Sequence, residues 1–136
     1  MKKILIIILC CFISISARSD NNSCAGGQGT IIKGINGKTY CRSKMVLNWW
    51  SANAWCDSAQ GVSKLVNPNE DCDCTGFDGC DTTISCPNFK LSLHGVWAWT
   101  NSTPTKNQVY AIDMGKGDVA VLPRIVTGAT SIAVCK

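Results

Sequence analysis

The chain has 136 residues, of which 13 are basic and 9 acidic, and a formal net charge of +4. The small positive excess is scattered along the chain, so charge patterning does not indicate a nucleic-acid-binding protein. The length suits one domain with a modest core.

The first 17 residues have the three parts of a secretory signal peptide. A basic start at residues 2–3 precedes the apolar run 4–15, and small residues follow as far as Ala17. A membrane-spanning helix needs about 20 apolar residues, and this run is shorter. We expect cleavage after Ala17, or after Ser16, which leaves residues 18–136 as one secreted, periplasmic or cell-surface domain with no membrane span. A retained N-terminal anchor is the alternative.

Eight cysteines follow the expected cleavage point, and an even number in an exported chain predicts a disulfide framework. They are Cys24, Cys41, Cys56, Cys72, Cys74, Cys80, Cys86 and Cys135. The four between residues 72 and 86 could hold zinc, but they lack the paired CxxC spacing, and an oxidising compartment favours disulfides. We therefore predict no metal and no cofactor.

A hairpin and a helix are predicted in the first half of the chain. Residues 30–40 alternate in polarity around Gly34-Ile35-Asn36-Gly37, which is typical of a hairpin with an Asn-Gly turn. Asn48 is a suitable N-cap for the helix, and Gly61 a suitable C-cap. The apolar face of that helix comprises Trp49, Ala52, Cys56 and Ala59, which recur at intervals of three and four. Cys56 therefore points inward and needs a partner elsewhere.

Residues 67–88 lack periodicity and contain four cysteines, five acidic residues and no basic residue. They are interpreted as a stapled acidic loop that contains little to bury. The stretch that begins at Asp71 places oxygen ligands at alternate positions and Gly76 sixth, like the front of a calcium loop. Its twelfth residue is Thr82 rather than the bidentate glutamate such a loop needs, so a solvated loop without a tight calcium site is predicted.

Four strands are predicted in the last third, at residues 95–100, 109–114, 118–122 and 131–135. Short alternating strands joined by glycine turns are typical of an antiparallel sheet. In the second of them, Tyr110, Ile112 and Met114 are expected to share one face.

Three stretches of this sequence resemble the C-type lectin-like domains, in a compact bacterial form. They are Asn48-Trp49-Trp50-Ser51-Ala52-Asn53-Ala54-Trp55-Cys56 with Gly61 and Leu65, then Gly95-Val96-Trp97-Ala98-Trp99-Thr100-Asn101, and the closing Ser131-Ile132-Ala133-Val134-Cys135. The likeness covers roughly residues 30–135. It implies an α+β fold in which one or two helices pack on small antiparallel sheets stapled by disulfides.

The resemblance also implies disulfide pairings. Cys56 would bond Cys135, and Cys24 would bond Cys41, while the four cysteines of the acidic loop would pair among themselves in one of three ways. The residues alone leave Cys41 or Cys72 open as partners of Cys56.

The chain departs from the family's calcium-dependent sugar site. Sugar-binding members carry a Glu-Pro-Asn or Gln-Pro-Asp triplet in a long loop, followed by Trp-Asn-Asp. Here Asn67-Pro68-Asn69-Glu70 precedes the sheet, and Trp99-Thr100-Asn101 matches the second motif only loosely. Sugar binding by that route is not expected, and a fold alone does not name a ligand.

Trp97 and Trp99 are the candidate ligand-binding residues, together with the nearby Asn101 and Asn107. The two tryptophans share a strand face, and indole faces are good platforms for sugar rings or peptide side chains. We expect one in the core and the other partly exposed. His94 is the only histidine and is interpreted as a structural or surface residue, because every cysteine after the cleavage point has a disulfide partner available.

These observations favour a non-enzymatic binding domain that recognises a glycan or a protein ligand at a cell surface, as in adhesion. The alternatives are a structural or interaction subunit of a surface appendage and, third, a small secreted enzyme.

Overall fold

The computed structural model describes residues 22–59, 61–62, 64–73, 81–124 and 130–136. The expected signal peptide lies outside these residues, and so do Cys74, Cys80 and Gly76. Within the described ranges, no helix has both the length and the apolar character needed to cross a membrane.

The described residues form an α+β fold in which strands dominate. The seven strands are β1 (Ser23–Cys24), β2 (Gly29–Lys33), β3 (Thr39–Leu47), β4 (Trp97–Trp99), β5 (Gln108–Asp113), β6 (Val119–Pro123) and β7 (Ser131–Cys135). Two α-helices, α1 (Trp49–Ser58) and α2 (Pro68–Asp71), lie between β3 and β4. Short 3-10 turns occur at Ala25–Gly27 and Pro87–Phe89. The α+β class predicted from the sequence is confirmed.

All seven strands belong to one sheet, in the order β1-β2-β3-β7-β4-β5-β6. Neighbours are antiparallel except β4 and β7, which are parallel. The structure therefore differs from the small antiparallel sheets that were expected. The reason is that β7 lies between β3 and β4, which run in opposite directions, so β7 can be antiparallel to only one of them.

The predicted hairpin is formed by β2 and β3, with Lys33 opposite Thr39. The N–H of Gly37 donates to the carbonyl of Gly34 at 3.0 Å, and Gly37 has a φ of 84°, a conformation that favours glycine. Gly34 is required for a different reason: a Cβ there would lie 2.4 Å from Oδ1 of Asn88.

Helix α1 begins as predicted, because Oδ1 of Asn48 accepts a hydrogen bond from the N–H of Ser51 at 2.7 Å. It ends at Ser58 with Ala59 as the C-cap, so the expected cap at Gly61 is wrong by two residues. The inward face is as predicted, since the side chain of Cys56 has no exposed surface.

Between described residues there are three disulfides, and they are Cys24–Cys41, Cys56–Cys135 and Cys72–Cys86. The first two are the pairings that the resemblance implied. The bond between Cys56 and Cys135 joins α1 to the strand at the centre of the sheet. The bond between Cys72 and Cys86 lies within the acidic loop, as the resemblance implied for the cysteines of that loop.

The sheet has a separate core on each face, because successive side chains of a strand point to opposite sides. Helix α1 covers the first face, where the buried residues are Ala52, Cys56, Leu65, Trp99, Val109, Ala111, Ala133 and Cys135. The second face carries Ala98, Ile112, Met114, Ile132 and Val134, packed against Val66, Cys72, Cys86 and Phe89. Tyr110, Ile112 and Met114 all belong to this second core, as predicted.

The ends of the acidic segment are buried, which corrects the expectation that it contains little to bury. Asn88 is 1% exposed and Asp71 6%. The side-chain amide of Asn88 accepts from the N–H of Asn36 at 2.9 Å, and it donates to the hydroxyl of Tyr40 at 3.2 Å and to the carbonyl of Asp71 at 2.8 Å. This amide therefore joins the hairpin turn to the acidic segment. Burial, aided by the Asp71 carboxylate, raises the pKa of Tyr40.

Lys136, which directly follows β7, forms ion pairs with two carboxylates of α2. Its ammonium lies 2.9 Å from Oδ2 of Asp71 and also donates to Glu70. The hydrogen bond from Lys136 lowers the pKa of Glu70. Burial lowers the pKa of Lys136, but its hydrogen bonds to the two carboxylates outweigh burial and the pKa is raised.

The Lys136→Gln variant is expected to lower the free energy of unfolding at pH 7 by about 1–3 kcal/mol, because the Asp71 carboxylate loses its charged partner while buried. The lowered pKa of Glu70 means that its contribution is present above its ordinary value of 4.5 and is lost as the pH falls through the folded-state value. The raised pKa of Lys136 means that its contribution is present below its ordinary value of 10.5 and is lost as the pH rises through the folded-state value.

Urea unfolding of the wild type and the variant across this pH range should therefore give the largest difference between 4.5 and 10.5. A difference that does not change with pH would contradict the assignment. Lys116→Gln, at an exposed lysine, is the control and should have little effect.

Candidate functional site

The two tryptophans singled out from the sequence lie on the same face of β4 but differ in exposure. Trp99 is 1% exposed and is anchored in the core by its indole N–H, which donates to the carbonyl of Leu47 at 2.7 Å. Trp97 is half-buried. The expectation of one core and one partly exposed tryptophan is therefore confirmed, and Trp97 is the one that a ligand could contact.

Both indoles line a cavity of about 250 Å³ on the α1 side of the sheet. Among the described residues its walls are Trp97, Trp99, Leu122, Pro123, Thr130 and Ser131. The volume is somewhat below the roughly 300–1,000 Å³ of pockets that hold drug-sized ligands. The cavity therefore has room for about one ring or one side chain.

The two asparagines proposed with these tryptophans do not line this cavity. Asn101 instead forms hydrogen bonds with the segment that precedes α2. Its Oδ1 accepts from Nδ2 of Asn67 at 2.9 Å, and its N–H donates to the carbonyl of Val66. Asn107 is exposed, and its carbonyl accepts the N–H of Arg124 at 2.8 Å. Asn107 is thus linked to the rim of the cavity through its backbone carbonyl.

Arg124, Trp49 and Trp50 form an aromatic cluster at this rim that the sequence reasoning missed. Arg124 directly follows Pro123 of the cavity wall, and its guanidinium carbon Cζ lies 5.3 Å from the ring centroid of Trp49 and 5.2 Å from that of Trp50. These distances are within the range of cation–π contacts. Trp49 is held by its indole N–H, which donates to the carbonyl of Thr100 at 2.9 Å. Trp50 is 58% exposed.

A sequence signal for Trp50 did exist. Successive residues of a helix point about 100° apart, and Ala52 and Cys56 fix the buried face of α1. Of two adjacent tryptophans, the one further from that face must then meet solvent. The role of Arg124 had no such signal, because it depends on where the end of β6 meets the start of α1.

Two buried side-chain polar atoms in the described part of the chain have no hydrogen-bond partner, and both belong to this corner of the molecule. One is Nε of Arg124 and the other is Oγ of Ser131, which lines the cavity. Buried polar groups of native proteins are nearly always hydrogen-bonded, so unpaired ones need an explanation.

Among the described residues that form the cavity and the aromatic cluster, none carries a carboxylate, an imidazole or a thiol. His94 is exposed on the loop before β4. No group of three or more His, Cys, Asp or Glu side chains is placed to hold a metal ion in the described ranges. Within the suspected calcium loop, the Asp71 carboxylate accepts from the Asn67 N–H at 2.8 Å and is also paired with Lys136.

A second cavity, of about 410 Å³, lies between β3 and α1. It is lined by Gln28, Ser43, Lys44, Met45, Leu47 and Trp55. Trp55 is half-buried like Trp97, which makes it a matched control for the first cavity.

Comparison with family models, with characterised proteins and with solved structures finds no match to this chain.

Proposed function

We propose that the chain is an exported, non-enzymatic binding domain that recognises a glycan or a protein at a cell surface through the cavity at Trp97. The observation that carries the proposal is the half-buried Trp97 indole in a small apolar cavity, beside the exposed Trp50 and its arginine. Tryptophan and arginine dominate the energetics of binding sites because they combine a large contact area with a polar or charged group.

The disulfides support the exported location, since bonds of this kind persist in oxidising compartments. We further propose that the domain is C-type lectin-like. The bond between Cys56 and Cys135, which ties the first long helix to the last strand, supports this assignment because the sequence motifs implied it.

No comparable observation favours an appendage subunit. An edge strand that pairs with another subunit should be long and apolar. Here one edge strand, β1, has two residues, and the other, β6, ends in Pro123. Val121 is the one residue of β6 among the exposed large apolar side chains, at 44%.

The Trp97→Ala variant is expected to weaken binding to the target cell surface by at least about 30-fold, the effect typical of removing a central aromatic residue. The matched control, Trp55→Ala, removes an indole that is also half-buried from the second cavity and should leave binding within a few-fold of wild type. Binding can be measured by titrating labelled protein on cells and on glycan and protein arrays. Equal binding by Trp97→Ala and wild type would refute the proposal, and so would a loss confined to Trp55→Ala.

A further inference from the structure

We infer that the ligand of this site is an acidic saccharide, with its carboxylate at Arg124 and a sugar ring in the cavity beside Trp97. The inference rests on the proposed function and gives that site a ligand class. It follows from three chemical requirements that the described residues impose together: a partner for a buried hydroxyl, a partner for a fixed cation, and a flat apolar surface to cover indole rings.

The hydroxyl requirement comes from Ser131. This residue is 1% exposed, lines the cavity, and its Oγ has no hydrogen-bond partner. The backbone around it is committed to the start of β7, where Ser131 pairs with Leu47 of β3. A ligand in the cavity that carries a hydroxyl would supply the missing bond, whereas an aliphatic or aromatic peptide side chain would leave it unmade.

The cation requirement comes from Arg124. Its guanidinium lies against Trp49 and Trp50, its Nε is buried without a partner, and it forms no ion pair with an acidic residue of the described ranges. A guanidinium presents its donors as a planar fork that matches a carboxylate. Resting on two indoles, the fork is held in place before a ligand arrives, which reduces the entropy lost on binding.

The apolar requirement comes from the tryptophans themselves. Trp97 is half-buried in the cavity wall, and Trp50, which lies against Arg124, is 58% exposed. Sugar rings have one apolar face and a hydroxyl-bearing edge, so a single ring can cover an indole while its edge meets Ser131. The cavity volume of about 250 Å³ accommodates one ring. A carboxylate, hydroxyls and an apolar face coincide in uronic and sialic acids.

The test uses the mature, oxidised protein and two probe sets. One set contains short uronic-acid oligosaccharides and sialylated oligosaccharides, and the other contains the same compounds after reduction of each carboxyl to an alcohol. We expect wild type to bind at least one acidic probe, and carboxyl reduction of that probe to weaken binding about tenfold or more, as for loss of a charge-assisted hydrogen bond. The Arg124→Gln variant should bind the acidic form and the carboxyl-reduced form of the probe equally.

Two further variants refine the assignment. Ser131→Ala should weaken binding of the acidic probe and of the reduced probe by the same factor, since the contact with the Ser131 hydroxyl does not involve the carboxylate. Arg42→Gln is the control, because Arg42 is also half-buried but lies on β3, where its Nε donates to the carbonyl of Ser43. It should bind both probes as wild type does. Thermal unfolding of each variant tests whether the fold is retained.

Several outcomes would overturn the inference while leaving the proposed function intact. These are equal binding of acidic and reduced probes by wild type, binding of an acidic peptide through Arg124 without binding of any saccharide, and failure of every saccharide while Trp97→Ala still abolishes cell-surface binding. If Trp97→Ala binds cells as wild type does, the proposed function itself fails, and the inference fails with it.

Discussion

Replacing Cys56 and Cys135 together with alanine is expected to lower the free energy of unfolding by about 2–5 kcal/mol. The bond joins residues 79 positions apart, so the unfolded chain regains the freedom of a very long loop when the bond is removed. Both side chains are fully buried between α1 and β7, and their loss also loosens the contact that holds the helix on the central strand.

The control is the Cys24→Ala/Cys41→Ala pair, whose bond spans 17 positions at the hairpin. By the chain-entropy relation, removing the bond that closes this shorter loop should lower the free energy of unfolding by about 1 kcal/mol less than removing the Cys56–Cys135 bond. Urea unfolding of the oxidised proteins measures both values, and peptide mapping without reduction should recover Cys56 joined to Cys135. Recovery of Cys56 joined to Cys41 or Cys72 would contradict the fold.

Replacing Trp99 with alanine is expected to cost about 3–5 kcal/mol of stability, as for other large buried aromatic residues. Trp99 is the largest fully buried side chain in the described residues, and truncation also removes the indole donor that bonds the Leu47 carbonyl. For a domain of this size, such a loss should lower the melting temperature by well over 10 °C.

The matched control is Trp50→Ala, which removes the same side chain from an exposed position. Its stability should stay within about 1 kcal/mol of wild type, because the Trp50 side chain is 58% exposed and packs against Trp49 and Arg124 at the surface. Its binding should nevertheless weaken, so stability and binding separate between the two tryptophans. A Trp50→Ala variant as unstable as Trp99→Ala would show that the exposed indole belongs to the core.

The candidate site illustrates what could be predicted from the residues. The alternation of Trp97, Ala98 and Trp99 indicated that both indoles share a strand face, and the structure places them in one cavity wall. The assignment of Asn101 and Asn107 rested only on nearness in the chain. Asn101 instead bonds Asn67 across 34 residues, a contact that no local pattern could reveal.

Local patterns in the sequence were enough to predict the elements whose stability comes from near neighbours in the chain. The Asn48 cap, the inward face of α1, the hairpin turn at Gly37 and the alternating faces of β5 all depend on residues a few positions apart, and backbone geometry relates such residues directly. The even number of cysteines likewise indicated a stapled domain, because that inference needs only composition and compartment.

The way in which distant segments meet became evident only in the folded chain. The place of β7 between β3 and β4, its parallel pairing with β4, the burial of Asn88 and the stacking of Arg124 on two indoles each join parts of the chain separated by some 30 to 90 residues. Local periodicity is the same whichever partner a strand or a guanidinium finds. The partner depends on the arrangement of the whole chain that buries both sheet faces and pairs the backbone polar groups in hydrogen bonds. That arrangement exists only in the packed structure.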